Sequence, residues 1–181
     1  MRIIAGSRKG ARIFAPKGSV VRPTGDRVRE AIFNLVGPVD GAEVLDLYAG
    51  SGAMGLEALS RGAARVTFVE SDGEAARTIV RNLDKLRLEG AVVVREDAAR
   101  RLAADAAGGR RYDLVLIDPP YRMLARIAPT LAAYLPAVVA ADGLAVVESD
   151  AREEPELPLA KRTSRRYGSA RVTVFEGRPG G

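Results

Sequence analysis

Cysteine, histidine and tryptophan are all absent from this 181-residue chain. Without cysteine there is no disulfide, no thiolate nucleophile and no cysteine-based metal site. Without histidine, the common zinc sites and serine–histidine chemistry go too, and no metal is expected. Acid–base work falls to carboxylates, lysine or tyrosine. Long hydrophobic runs are missing as well: the longest, residues 131–141, spans 11 positions and is broken by Pro136. A membrane-spanning helix needs roughly 20. The first nine residues lack the apolar stretch of a signal peptide, so the expectation is a cytoplasmic protein with no membrane partner.

What is present is ordinary globular composition, 47% hydrophobic and 28% charged, in a length that suits one domain. The net charge of +5 is unevenly spread: residues 1–30 carry +6, residues 161–181 carry +5, and the middle carries −6. Two basic ends around an acidic body suggest a polyanion held at the ends and different chemistry between them.

Ile3-Ile4 and Ala11-Arg12-Ile13-Phe14 flank a turn-rich Gly6-Ser7-Arg8-Lys9-Gly10, which predicts a short basic hairpin. Thr24 is a candidate N-cap for a helix carrying Val28, Ile32, Leu35 and Val36 at helical spacing. Arg27 and Arg29 then lie off its apolar face, and Gly37-Pro38 ends it. Strands at 44–47, 65–69, 91–94, 112–117 and 143–147 alternate with helices at 53–59, 74–86, about 98–106 and 122–139. Pro129 and Pro136 should interrupt or kink the last of these. Near-continuous apolar strands in β–α alternation predict a parallel sheet covered on both faces. Residues 161–166 and 170–175 close the chain as an antiparallel hairpin.

The stretch Val44-Leu45-Asp46-Leu47-Tyr48-Ala49-Gly50-Ser51-Gly52-Ala53-Met54-Gly55 sets G-x-G-x-x-G between a strand and a helix. Glycines there let backbone approach a ligand beside free N–H groups at the helix start. Glu70, 20 residues after Gly50, ends the second strand, where a carboxylate can accept ribose hydroxyls. This much fits a dinucleotide as well as a nucleoside. Asp46 tilts the choice: a carboxylate in the pocket repels a pyrophosphate and suits an ammonium or sulfonium group. Asp97, after the third strand, is placed to accept an adenine amino proton. Three acids at three successive strand ends describe a site for S-adenosylmethionine rather than for a nicotinamide dinucleotide.

The fourth strand runs into Asp118-Pro119-Pro120-Tyr121. Two prolines fix the backbone and remove two donors, leaving carbonyl acceptors. The Asp118 side chain and the Pro119 carbonyl can grip the protons of an exocyclic base amine, and Tyr121 offers a face for a flipped-out base. Methyl transfer to nitrogen by orientation and electrostatics then needs neither histidine nor cysteine.

On these motifs the chain resembles class I S-adenosylmethionine-dependent methyltransferases, and Asp118–Tyr121 matches their amino-methylating branch. The N-terminal Arg2-Ile3-Ile4-Ala5-Gly6, Arg22-Pro23-Thr24 with Arg27-Val28-Arg29-Glu30-Ala31-Ile32-Phe33-Asn34-Leu35, and the closing Tyr167-Gly168 narrow the resemblance. Together they point to the bacterial 16S rRNA guanine-N2 methyltransferase family. The resemblance spans essentially the whole chain. It implies a Rossmann-like α/β fold with a mostly parallel seven-stranded sheet and a C-terminal antiparallel hairpin. Residues 1–22 would form a basic hairpin extension and residues 23–181 the methyltransferase domain, acting as a monomer on 16S rRNA in the small ribosomal subunit or its assembly intermediate.

The resemblance further implies that Asp46, Tyr48, Ala49, Gly50, Ser51, Gly52, Glu70, Ser71, Asp97 and Ala98 hold the cofactor. Thr24 and Arg27, with Arg22, would lie over its methionine end. Asp118, Pro119, Pro120 and Tyr121 would grip the guanine amine. Arg2, Arg8, Lys9, Arg12, Lys17, Arg22, Arg165 and Arg166, with Arg171, would meet RNA phosphates, which position RNA without choosing the base. One departure is Arg122-Met123-Leu124, where the family pattern would have acidic or small polar residues. Alternatives left open are adenine-N6 methylation of RNA or DNA, protein glutamine methylation, and a non-catalytic RNA-binding assembly factor. A nicotinamide oxidoreductase is the last of them.

Overall fold

The computed structural model describes residues 1–17 and 25–177, and of Tyr121 the backbone only. Seven strands form one sheet: β1 (Glu43–Leu47), β2 (Arg65–Val69), β3 (Ala91–Val94), β4 (Tyr112–Ile117), β5 (Val139–Asp150), β6 (Ala160–Tyr167) and β7 (Ala170–Glu176). Their spatial order is β3-β2-β1-β4-β5-β7-β6. The first five are parallel, and β7 runs antiparallel to both β5 and β6. The helices are α1 (Asp26–Val36), α2 (Ala53–Ser60), α3 (Gly73–Leu86), α4 (Ala98–Ala107) and α5 (Leu124–Val138).

Successive strand residues point to opposite faces, so the continuous apolar strands supply two cores. Val44, Val66, Phe68, Leu114, Leu116, Val172 and Val174 meet α1, α2 and α3 on one face. Leu45, Leu47, Val69, Val115, Ile117 and Phe175 meet α4 and α5 on the other. All eight residues of α2 are buried. Gly55 there fits against the Phe68 ring and Val66, where any side chain would overlap them. No helix among the described residues is long and apolar enough to cross a membrane.

Several sequence expectations change on contact with tertiary structure. The first helix starts at Asp26 with Gly25 at the cap position, and Thr24 lies outside the described residues. Arg29, expected off the apolar face, is fully buried. It pairs with Glu57 at 3.6 Å, with Asp26 at 3.0 Å, and donates to the Arg2 carbonyl. Arg29 stands one turn before Ile32 and Phe33 on the same buried face of the helix, and the buried Glu57 on α2 supplies the charge that lets an arginine occupy it. The helix α5 runs unbroken through Pro129 and Pro136. Pro129 is exposed and Pro136 half-buried, as are Ala125 and Ala132 four residues before them, so the carbonyls those prolines leave unpaired lie toward solvent. Strand β5 begins four residues early, at Val139, where it pairs with Tyr112 across a register shift.

The N-terminal hairpin is reduced to one antiparallel bridge, Arg2 to Arg12, around a 3-10 turn at Gly6–Arg8. Its backbone looks elsewhere for partners. The N–H groups of Ile4 and Ala5 donate to Glu57 at 2.8 and 2.9 Å, while Ile3 and Ile13 are buried in the core.

Candidate active site

Parallel register brings the expected acids to one edge. Leu47 pairs with Val69 and with Ile117, so Tyr48, Glu70 and Asp118 leave three adjacent strands side by side. The chain winds from β1 outward to β3, then crosses back to β4. The crevice between the carboxyl ends of β1 and β4 is therefore where the winding reverses, the place open α/β sheets bind ligands.

The glycine loop is bent into the left-handed region at Tyr48 (φ 59°), Gly50 (φ 55°) and Gly52 (φ 81°). Tyrosine there is strained, a cost that persists where surrounding structure fixes a site. Glu70 supplies part of that support. Its Oε2 accepts from the Gly50 N–H and its Oε1 from the Asp72 N–H, both at 2.8 Å. An added Cβ on Gly50 would find only the Tyr48 carbonyl, at 4.0 Å, so the loop's outer side is open.

Asp46 is buried, and its Oδ2 accepts from the Gly55 N–H at 2.9 Å. Burial pushes its carboxyl up to about 8, against the Gly55 bond that favours ionisation, with Asp118 and Glu70 adding repulsion. Asp97 caps α4, its Oδ1 accepting from Ala99 and Arg100 at 3.0 and 3.1 Å. The Tyr48 phenol is raised to about 12 by burial and by the Asp97 charge, which places those two groups within electrostatic reach. Ser71 is exposed and Ala98 is buried at the start of α4. Ala49 and Ser51 complete the loop.

This set fits an adenosine bearing a positive charge. The buried Asp46 favours a cation, Glu70 and Asp97 offer acceptors, and the glycines leave backbone bare. At the Asp118 turn, Pro119 is buried, Pro120 is exposed, and the Pro120 carbonyl accepts from Met123 at 2.7 Å. Asp118 is half-buried. A cavity of about 440 Å³ opens at the opposite edge of the sheet, lined by Pro38, Ala42, Asp113, Gly143 and Glu176. None of the site residues borders it.

The basic residues divide by what they touch. Lys9, Arg12, Lys17, Arg165 and Arg166 are exposed. Arg8 is spent on the end of α3, donating to the Leu86 carbonyl at 2.5 Å and the Arg87 carbonyl at 3.1 Å. Arg2 pairs with Asp26 at 3.1 Å. Arg171 is buried, held by the Ala151 carbonyl, Glu154 and Ser164, and is not presented to a ligand. Arg27 is exposed on the first turn of α1, without a described contact to the glycine loop. Arg22, like Thr24, lies outside the described residues.

A family model described as "Conserved hypothetical protein 95" matches residues 1–176. The chain belongs to that family. Among its relatives is the "Putative rRNA methyltransferase YlbH" of Bacillus subtilis, 40% identical over 98% of this chain and 100% of that one. The "Ribosomal RNA small subunit methyltransferase D" of Escherichia coli K12 is 43% identical over 67% of this chain and 61% of its own length. The solved structure of "Putative methyltransferase yhhF from Escherichia coli" superimposes with a TM-score of 0.83 at 33% identity, covering 99% of both chains. The fold of this Conserved hypothetical protein 95 member is the Rossmann-like class I methyltransferase fold, with the mostly parallel seven-stranded sheet and closing hairpin that the sequence predicts.

Two residues around the site escape sequence reading. Asn82, fully buried, accepts from Phe14 N–H at 2.7 Å and donates to the Phe14 and Ser51 carbonyls, both at 3.0 Å. Glu57 joins the N-terminal arm to α1 and α2. A polar residue among the apolar positions of α3, and a charge within the apolar 53–59 run, were the available signals.

Proposed function

We propose that this protein transfers a methyl group from S-adenosylmethionine to the exocyclic N2 amine of a guanine in 16S rRNA. The observation that carries the reading is the convergence of Asp46, Glu70 and Asp118 at the β1/β4 crevice, beside a bare glycine loop. Family membership and kinship to proteins named as rRNA methyltransferases support methyl transfer and the RNA substrate.

Bound in the crevice, S-adenosylmethionine would supply an electrophilic methyl group on a cationic sulfur. Asp46 offsets the positive charge of the bound cofactor, Glu70 and Asp97 accept from its adenosine, and the Gly50–Gly52 backbone allows close approach. The Asp118 carboxylate and the Pro119 carbonyl accept the two amine protons, which turns the nitrogen lone pair out of conjugation with the ring. Once the nitrogen had taken the methyl group it would carry an extra proton and a positive charge, and Asp118 would accept that proton and pass it to water. Tyr121 supplies the stacking face. Residues 23–181 make up this machinery, and the basic arm within residues 1–22, with Arg165 and Arg166, holds RNA backbone.

The test uses labelled S-adenosylmethionine and small subunits from a strain lacking the protein, followed by nucleoside analysis. Label in N2-methylguanosine is expected, reduced about 100-fold or more by Asp118→Ala. Label in N6-methyladenosine would replace guanine by adenine as the target. Cofactor binding without transfer would favour a non-catalytic assembly factor.

A further inference from the structure

The N-terminal arm turns Ile13 inward and Phe14 outward. Phe14 is 39% exposed, yet its backbone is fixed on both sides by the buried Asn82. Over its ring lie two cations of α3, the Arg81 guanidinium carbon 4.6 Å and the Lys85 ammonium 4.4 Å from the centroid. These side chains are four residues apart and share one helix face with Arg77, which makes a ridge of three basic groups. Arg77 is matched by Glu74 at 2.9 Å. Among the described residues no carboxylate lies within ion-pair distance of Arg81 or Lys85.

We propose that Phe14, Arg81 and Lys85 form an RNA phosphate-docking site, in which the Phe14 ring holds two cations ready for the backbone of the substrate. The inference deepens the RNA reading above and rests on it. Long basic side chains ordinarily lose rotamer freedom on gripping a phosphate. Here the ring has already restricted them while their heads remain in water. Exposed Arg12 and Lys17 flank Phe14 in the chain and extend the positive surface. Position also favours RNA. Asn82 spans from the Phe14 carbonyl to the Ser51 carbonyl, so the clamp sits directly beside the cofactor loop. RNA held there is anchored next to the reaction crevice.

The ring and the charges have separable signatures. Binding of a 16S rRNA transcript and of small subunits lacking the modification is measured as a function of salt. Arg81→Gln with Lys85→Gln should weaken binding about tenfold near 0.1 M salt and flatten the slope of log K against log salt by roughly 1 to 2. Phe14→Leu keeps both charges, so affinity should fall roughly two- to fivefold with the slope unchanged, and Phe14→Tyr should restore it. Cofactor affinity and thermal unfolding, read in parallel, should match the parent protein for all these surface changes. If the parent binds rRNA and the variants bind equally well with the same slope, the docking site is overturned and the RNA reading stands. If the parent binds neither transcript nor subunits, the RNA reading falls and takes this inference with it.

Discussion

Asp46 shows how one carboxyl can serve structure and ligand at once. With its pKa near 8, it is mostly protonated at pH 7 in the ligand-free protein. A cationic ligand favours its ionised form, so binding S-adenosylmethionine at pH 7 should release close to one proton, and affinity should rise with pH up to about 8. Calorimetry in two buffers of different ionisation enthalpy measures that proton. The same shift bears on stability. The folded carboxyl keeps its proton from about 4 to about 8, where the unfolded one has lost it. Stability contributed by this residue is therefore present at low pH, falls as pH rises through that window, and levels off above it. Asp46→Asn retains an acceptor for Gly55 and should remove the fall, seen as a thermal midpoint less dependent on pH between 5 and 9, while cofactor binding weakens.

At the scale of elements, the arm and two helices are joined by one residue. Glu57 is fully buried, takes the N–H groups of Ile4 and Ala5, and pairs with Arg61 at 2.8 Å and with the buried Arg29. Glu57→Gln strands a buried guanidinium and should cost about 3–5 kcal/mol in denaturant unfolding. Amide exchange at Ile4 and Ala5 should quicken first, because their acceptor is weakened locally. The alternation of strands and helices, and the acids at strand ends, were legible because period and turn chemistry are local. Arg29 was not: its spacing with Ile32 and Phe33 faces inward, but that a charge can be buried there depends on a carboxylate 28 residues away. Likewise, the reduced hairpin reflects competition: Glu57 and Asn82 take backbone groups that a second strand would otherwise have paired. Asp46, Glu70 and Asp97 were legible as an acidic set, but the burial that raises Asp46 depends on packing that no spacing reveals.

For the whole molecule, the chain's two basic ends come to lie on either side of the crevice. The arm packs by α2 and α3, toward the β2/β3 side, whereas Arg165 and Arg166 sit near the carboxyl-edge end of β6 at the far side of the sheet. An RNA segment reaching Asp118 between them can be held from both directions. Arg165→Gln with Arg166→Gln should therefore flatten the salt dependence of rRNA binding by roughly 1 to 2 in log–log slope. Cofactor affinity in the same titration should stay as in the parent protein.

The seating of the arm also sets an order of events during synthesis. Residues 4–14 leave the ribosome before their partners: Ile4 and Ala5 wait for Glu57, Arg8 for Ser60 and Leu86, and Phe14 for Asn82. These separations of 52 to 78 residues leave the opening basic segment without its partners until α3 has emerged. The arm is thus made before the elements that receive it and docks only after them. Its docking brings Phe14 beside the glycine loop, so a nascent chain gains that surface only after β1, β2 and α3 have been made.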